Sequence, residues 1–143
     1  MDYFLYRNGS LYAEDVAVAD IAAAVGTPFY VYSTATLLRH FKLFDDALAD
    51  MDHLICYAMK AASNQAIIKT LAQAGAGMDV VSGGEYARAK AAGVSTDRIV
   101  FSGVGKTVDE ITTALKGGIR QFNVESEPEM AVLNRVAGEM GVI

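Results

Sequence analysis

Short apolar segments alternate with amphipathic ones from residue 54 onward, and this alternation limits the fold more than any other feature. The run "LICYA" (54–58) precedes a helical stretch at about 64–74, stopped by Gly75. "GMDVVS" (77–82) precedes an Ala-rich helix at about 84–92, stopped by Gly93. "RIVFSG" (98–103) precedes a helix that opens at "TVDE", where Thr107 and Glu110 have capping-box spacing, and stops at Gly117. "IRQFNVE" (119–125) precedes a helix opening at "SEPE", a second predicted capping box from Ser126 to Glu129. The face of that last helix is Met130, Leu133, Val136, Ala137 and Met140. Strands that are apolar nearly throughout and alternate with helices are parallel strands buried on both faces. Corresponding strand-end positions are Lys60, Asp79, Ser102 and Val124, separated by 19, 23 and 22 residues. That period suits a (β/α)8 barrel or a doubly wound sheet.

Four βα units are present, and the chain stops at "GEMGVI", where a fifth strand is due. A closed barrel has eight strands and typically about 250 residues. The expectation is therefore the N-terminal part of a larger enzyme; pairing of two half-barrels through their open sheet edges is the alternative.

Residues 1–32 read differently. "FLYRNGSLYAEDV" predicts strand, turn, strand, with Asn8-Gly9 as the hairpin signal. Asp20 to Gly26 predicts a short helix and "TPFYVYS" (27–33) a strand, from its aromatic and β-branched content. A long helix is expected from about Thr34 to Met51, with Leu37, Leu38, Phe41, Leu48 and Met51 on one face. The predicted organisation is an N-terminal β segment, 1–32, and a βα-barrel segment, 33–143.

Composition excludes several function classes. The net charge is −5 and no Lys/Arg run occurs, so nucleic acid is not an expected partner. No apolar run approaches the roughly 18 residues of a membrane span, and the N-terminus lacks a signal-peptide core. One cysteine, Cys56, rules out an internal disulfide and fits a cytoplasmic protein. Two histidines far apart give no metal cluster.

Chemistry in a parallel α/β fold sits at the C-terminal ends of strands, where Lys60 falls. Partial desolvation there would lower an amine's pKa and make it the carbonyl-reactive nucleophile of a Schiff-base lysine. Ala58, Ala61, Ala62 and Ser63 leave room for something planar. The plainer reading is a solvated lysine that opens a loop. Asp79, at the next strand end, adds a carboxylate to the same region; its plainer reading is a strand-edge or capping acid. "SGVGKT" (102–107) imitates a phosphate-binding loop, but the Walker spacing needs glycine where Val100 stands, and the segment begins in a strand.

"YAMKAASN" (57–64) resembles the lysine motif of the fold-type III, pyridoxal-phosphate-dependent decarboxylases, whose alanine-racemase-like barrel is joined to a β-rich domain. "GAGMDVVSGGE", "RIVFSGVGKT" and "FNVESEPE" follow in that family's order, and "NGSLYAEDV" and "TPFYVYS" precede it. The resemblance implies the N-terminal half of a pyridoxal-phosphate-binding (β/α)8 barrel, with residues 1–32 contributed to the β domain. It implies Lys60 as the catalytic, cofactor-holding residue. Ala58 and Asp79 would line the cofactor's surroundings, and Glu85 would support the site from behind; Ser82 and Ser102 are further cofactor-binding candidates. No metal is implied. Ala62 departs from the family, which has asparagine there. The implied activity is loss of carbon dioxide from a small amino acid, with pyridoxal 5'-phosphate taking up the electrons, in a cytoplasmic homodimer. Substrate choice among basic amino acids stays open. So do a non-catalytic protein that holds the cofactor and an inactive half-barrel; the former lacks an N-terminal β segment.

Overall fold

The computed structural model describes residues 2–142. Met1 and Ile143, the outer limits of the two predicted segments, lie outside the described residues. The chain forms two compact units that divide between Asp50 and Met51.

In the first unit β1 (Phe4–Arg7) and β2 (Ser10–Ala13) form an antiparallel hairpin, with Arg7 opposite Ser10. Asn8 and Gly9 both have positive φ (50° and 80°), the backbone of the two-residue turn expected from an Asn-Gly pair. A third strand, β3 (Val16–Ala17), pairs with β2 and leads into helix α1 (Val18–Val25). Residues 27–33 form no strand among the described residues, although their composition predicts one. No neighbouring strand accepts their ladder hydrogen bonds, and β propensity without a partner does not make a sheet. Helix α2 (Thr34–Ala47) begins where expected and ends four residues before Met51. Ser33 caps it by accepting from Thr36 N–H at 3.0 Å. The Glu14 carboxylate accepts from Ser33 Oγ–H at 2.8 Å and Ala35 N–H at 2.9 Å, which ties the hairpin to the start of α2. Those two donors, Ala35 first, hold the Glu14 carboxyl below its ordinary pKa.

In the second unit β4 (Cys56–Ala58), β5 (Gly77–Val80), β6 (Ile99–Phe101) and β7 (Gln121–Phe122) form a parallel sheet in sequential order. Helices α3 (Gln65–Gln73), α4 (Gly83–Ala91), α5 (Val108–Lys116) and α6 (Glu127–Met140) follow the strands in turn. Among the described strands the order never reverses, as it must in a doubly wound sheet, so the winding is that of a barrel.

Strand alternation sorts the side chains. Met78, Val80, Ile99 and Phe101 are wholly buried, with Ile68, Ile111 and Ala114 from the helices in the same core. Phe122 stacks on Phe101 with ring centroids 5.8 Å apart. Gly77 is required by space: a Cβ there would lie 2.5 Å from the Arg98 carbonyl oxygen and 2.9 Å from Cys56 Sγ.

The loops carry helix caps that reach beyond their own helices. Thr107 and Glu110 form the expected capping box of α5. The same Glu110 carboxylate also accepts from Gly83 N–H, the first residue of α4, at 2.6 Å. The backbone donors of Thr107 and then Gly83 hold its carboxyl below the usual range. At α6 the predicted capping box is only half formed. Ser126 accepts from Glu129 N–H, but the Glu129 side chain is drawn instead to Lys106 and to Glu125 N–H.

Candidate active site

The face of the sheet opposite the Met78–Phe101 core carries the polar groups. Register aligns Ala58 with Asp79, Asp79 with Val100, and Val100 with Gln121. A concavity of about 420 Å³ is lined there by Leu54, Cys56, Asp79, Val100, Arg120, Gln121 and Asn123. Burial, and then the charge of Asp79, push the Cys56 thiol above its ordinary pKa, so it is a poor nucleophile.

Asp79 and Ser102 meet directly. Ser102 follows β6, and its hydroxyl donates to Asp79 Oδ1 at 2.5 Å. Asn123, one residue past β7, donates from Nδ2 to Ser102 Oγ at 2.9 Å. Gln121 donates from Nε2 to Asn123 Oδ1 at 2.6 Å. Three side chains thus pass hydrogen bonds in one direction across the strands, and the series ends on a carboxylate.

Ala58 is the last residue of β4 and lies beside Asp79 in the sheet. Lys60 is not at the strand end itself. It occupies the middle of a single 3-10 turn, Met59–Ala61, that follows β4. Met59 is wholly buried and anchors the turn, and Lys60 is exposed. Tyr57 Oη–H donates to the Ala62 carbonyl at 3.1 Å and closes the loop after the turn. The small residues Ala58, Ala61 and Ala62 leave space around the amine. An accessible primary amine, small neighbours and a carboxylate one strand away fit an aldehyde-bearing planar cofactor.

Ser82 and Glu85 stand just after β5, the strand of Asp79. Both serve the start of α4: Ser82 Oγ accepts from Glu85 N–H at 3.2 Å, and Glu85 Oε2 accepts from Val81 N–H at 2.7 Å. Sequence reasoning passed over Asn123 and Gln121, since an amide after a short strand has no motif. It also discounted Lys106 with the imitation phosphate loop. That ammonium is spoken for: it donates to the Gly103 carbonyl at 2.6 Å, the Asn123 carbonyl at 2.8 Å and Glu129 Oε1 at 2.6 Å. The Lys106 and Glu129 side chains are 1% and 9% exposed, which leaves the lysine no face for a phosphate. Its hydrogen bond holds the Glu129 carboxyl below the ordinary range. No helix of the described residues is long and apolar enough to cross a membrane, and no acidic, histidine or cysteine cluster among them could hold a metal.

Comparison with known proteins gives the class to which this parallel βα sheet belongs. Residues 34–143 match the family model for the pyridoxal binding domain of pyridoxal-dependent decarboxylases, and the chain belongs to that family. Its relatives include the diaminopimelate decarboxylase of Vibrio cholerae, 56% identical over 143 residues, which span 99% of this chain and 34% of that protein. The Haemophilus influenzae diaminopimelate decarboxylase is 49% identical over 143 residues, spanning 100% of this chain and 34% of its own. The crystal structure of M. jannaschii diaminopimelate decarboxylase with L-lysine superposes with a TM-score of 0.91 at 33% identity, covering 99% of this chain and 35% of that one. The chain spans about a third of the length of the relatives it matches. The fold is the N-terminal part of theirs, a small antiparallel sheet followed by a parallel one.

Proposed function

We propose that the protein carrying this chain is a diaminopimelate decarboxylase, which converts meso-2,6-diaminopimelate to L-lysine and carbon dioxide in lysine biosynthesis. The observation that carries this reading is likeness along the whole chain, at 56% identity, to a protein of that name. Pyridoxal 5'-phosphate, when bound, supplies the electron sink for the bond that breaks at Cα.

The chain's own residues take these parts. Lys60, whose amine is exposed, would hold the cofactor by its aldehyde. Ala58, beside Asp79 in the sheet, would leave room for a flat ring. Asp79, fixed by the Ser102 hydroxyl, offers a negative charge to a cationic or proton-bearing group. Ser82 and Glu85 support the site from the start of α4. Residues 1–32 belong with a second, β-rich domain, and the whole protein works in the cytoplasm as a homodimer.

The test is carbon dioxide release by the whole protein from meso-diaminopimelate, set beside ornithine, arginine and carboxynorspermidine. Release from diaminopimelate alone is expected, and Lys60→Ala abolishes it. Release from ornithine but not diaminopimelate would make this an ornithine decarboxylase. Cofactor binding without release from any of them would make it a carrier of pyridoxal phosphate.

A further inference from the structure

We propose that the buried Lys106–Glu129 pair is a positioning device for Asp79, acting through Asn123 and Ser102. The inference rests on the reading of Asp79 as a residue that faces the cofactor.

A serine hydroxyl turns freely and can donate or accept. Facing the Asp79 carboxylate, which only accepts, the Ser102 hydroxyl donates, and Asn123 Nδ2 holds that hydroxyl in place by donating to Ser102 Oγ at 2.9 Å. The Asn123 amide must then be held with its nitrogen toward Ser102. Gln121 Nε2 enforces this by donating to Asn123 Oδ1. Asn123 is exposed, so side-chain bonds alone would compete with water. Its backbone removes that freedom. Asn123 N–H donates to the Phe101 carbonyl at 2.9 Å, and its own carbonyl accepts from Lys106 at 2.8 Å.

Lys106 is suited to that duty and to no ligand. Its three donors are all used, on Gly103, Asn123 and Glu129, and it is 1% exposed. One ammonium thereby joins the loop after β6, the loop after β7 and the first turn of α6. Ser102 and Asn123 stand in the first two of these places. A buried ion pair is weak evidence of stabilisation, but it does fix one arrangement against others. Here the arrangement it fixes is the spacing between the donor loop and the loop that orients the donor.

The experiment uses the whole protein with pyridoxal phosphate, and four variants: Ser102→Ala, Ser102→Thr, Asn123→Ala and the paired Lys106→Met/Glu129→Met. Neutralising both partners avoids a lone buried charge and favours a folded product. The absorbance band of the bound cofactor is expected to shift in Ser102→Ala, Asn123→Ala and the paired variant. In those three kcat falls on the order of 100-fold, as for misplacement of a site group, with KM little changed. Adding Ser102→Ala to the paired variant gives no further loss, because both act on one element. Ser102→Thr, which keeps the hydroxyl, retains the wild-type band. A folded paired variant with wild-type band and kcat overturns the proposal, as do losses that multiply. Should the paired variant not fold, exchange of the Asn123 side-chain amide protons in the wild-type protein decides. Slowed exchange that Lys106→Arg abolishes supports the tether, and exchange at the rate of a free amide refutes it. If borohydride reduction does not trap the cofactor on Lys60 in the wild type, the functional reading has failed; trapping with unaltered variants fails this inference alone.

Discussion

The two units solve the burial problem in different ways. In the second, every helix from α3 to α6 buries at least one residue, and Met78 and Val80 of β5 and Ile99 and Phe101 of β6 are buried with them. In the first, only Ala13 and Ser33 are buried among the described residues, and neither α1 nor α2 buries a residue. Yet α2 has apolar residues at helical spacing, and Leu38 among them is exposed, as are Leu43 and Phe44 elsewhere on the helix. Periodicity therefore records that a helix has an apolar side; whether that side is covered is a separate matter. The first unit is instead drawn together by polar bonds, those of Glu14 foremost.

This contrast can be broken or sharpened by measurement. The largest effect is expected from Lys106→Met as a single change, which strands a buried carboxylate at Glu129. Such losses run to about 3–5 kcal/mol. Amide exchange should quicken through β5, β6 and α6 while β1 and β2 keep their wild-type rates. Equal quickening in both units would mean that they unfold together. Gly77→Ala comes next, at about 3 kcal/mol, since the new methyl meets backbone that has no room to yield. Denaturant unfolding checks it, and a loss well under 1 kcal/mol would show that β5 shifts freely.

Acid should act on both units, with one sign. Glu14 in the first, and Glu110 and Glu129 in the second, are held below their ordinary pKa in the folded chain. The unfolded chain takes up the protons first as pH falls. Their contribution is thus complete above the ordinary carboxylate range and disappears as pH drops through the lowered folded values. A melting curve against pH should decline on acidification for the wild type and less steeply for Glu110→Gln. A constant gap between the two curves would contradict the assignment. The smallest effect carries the opposite sign. The Tyr86 hydroxyl is buried without a partner, and burial pushes its pKa up. Tyr86→Phe should stabilise the second unit by about 1 kcal/mol in the same unfolding measurement.

Local chemistry was the legible part of this chain. The Asn8-Gly9 turn, the Thr107–Glu110 capping box and the four βα repeats all follow from neighbours in sequence. Lys60 and Asp79 stand out in the sequence because strand ends are where this architecture keeps its chemistry. What stayed hidden depends on residues far apart. Glu129 has capping-box spacing from Ser126, and nothing nearby reveals that Lys106, 23 positions earlier, claims its side chain. Residues 27–33 have the composition of a strand, but only a neighbouring strand could have made them one. The turn that places Lys60 past the end of β4, with buried Met59 as its first residue, has no signal of its own in the sequence.

Glu110 places a restriction on how such a chain can be rebuilt. One of its oxygens serves its own helix, α5, and the other serves the first N–H of α4. A βα unit cut out here and spliced into another barrel would leave the Gly83 N–H unpaired behind it. It would also arrive with an acceptor that has lost its second donor. Repeats that share a residue in this way are not modular. Recombination between relatives should succeed with its crossover elsewhere and fail with one between Gly83 and Glu110, unless both parents place a carboxylate at the same spot.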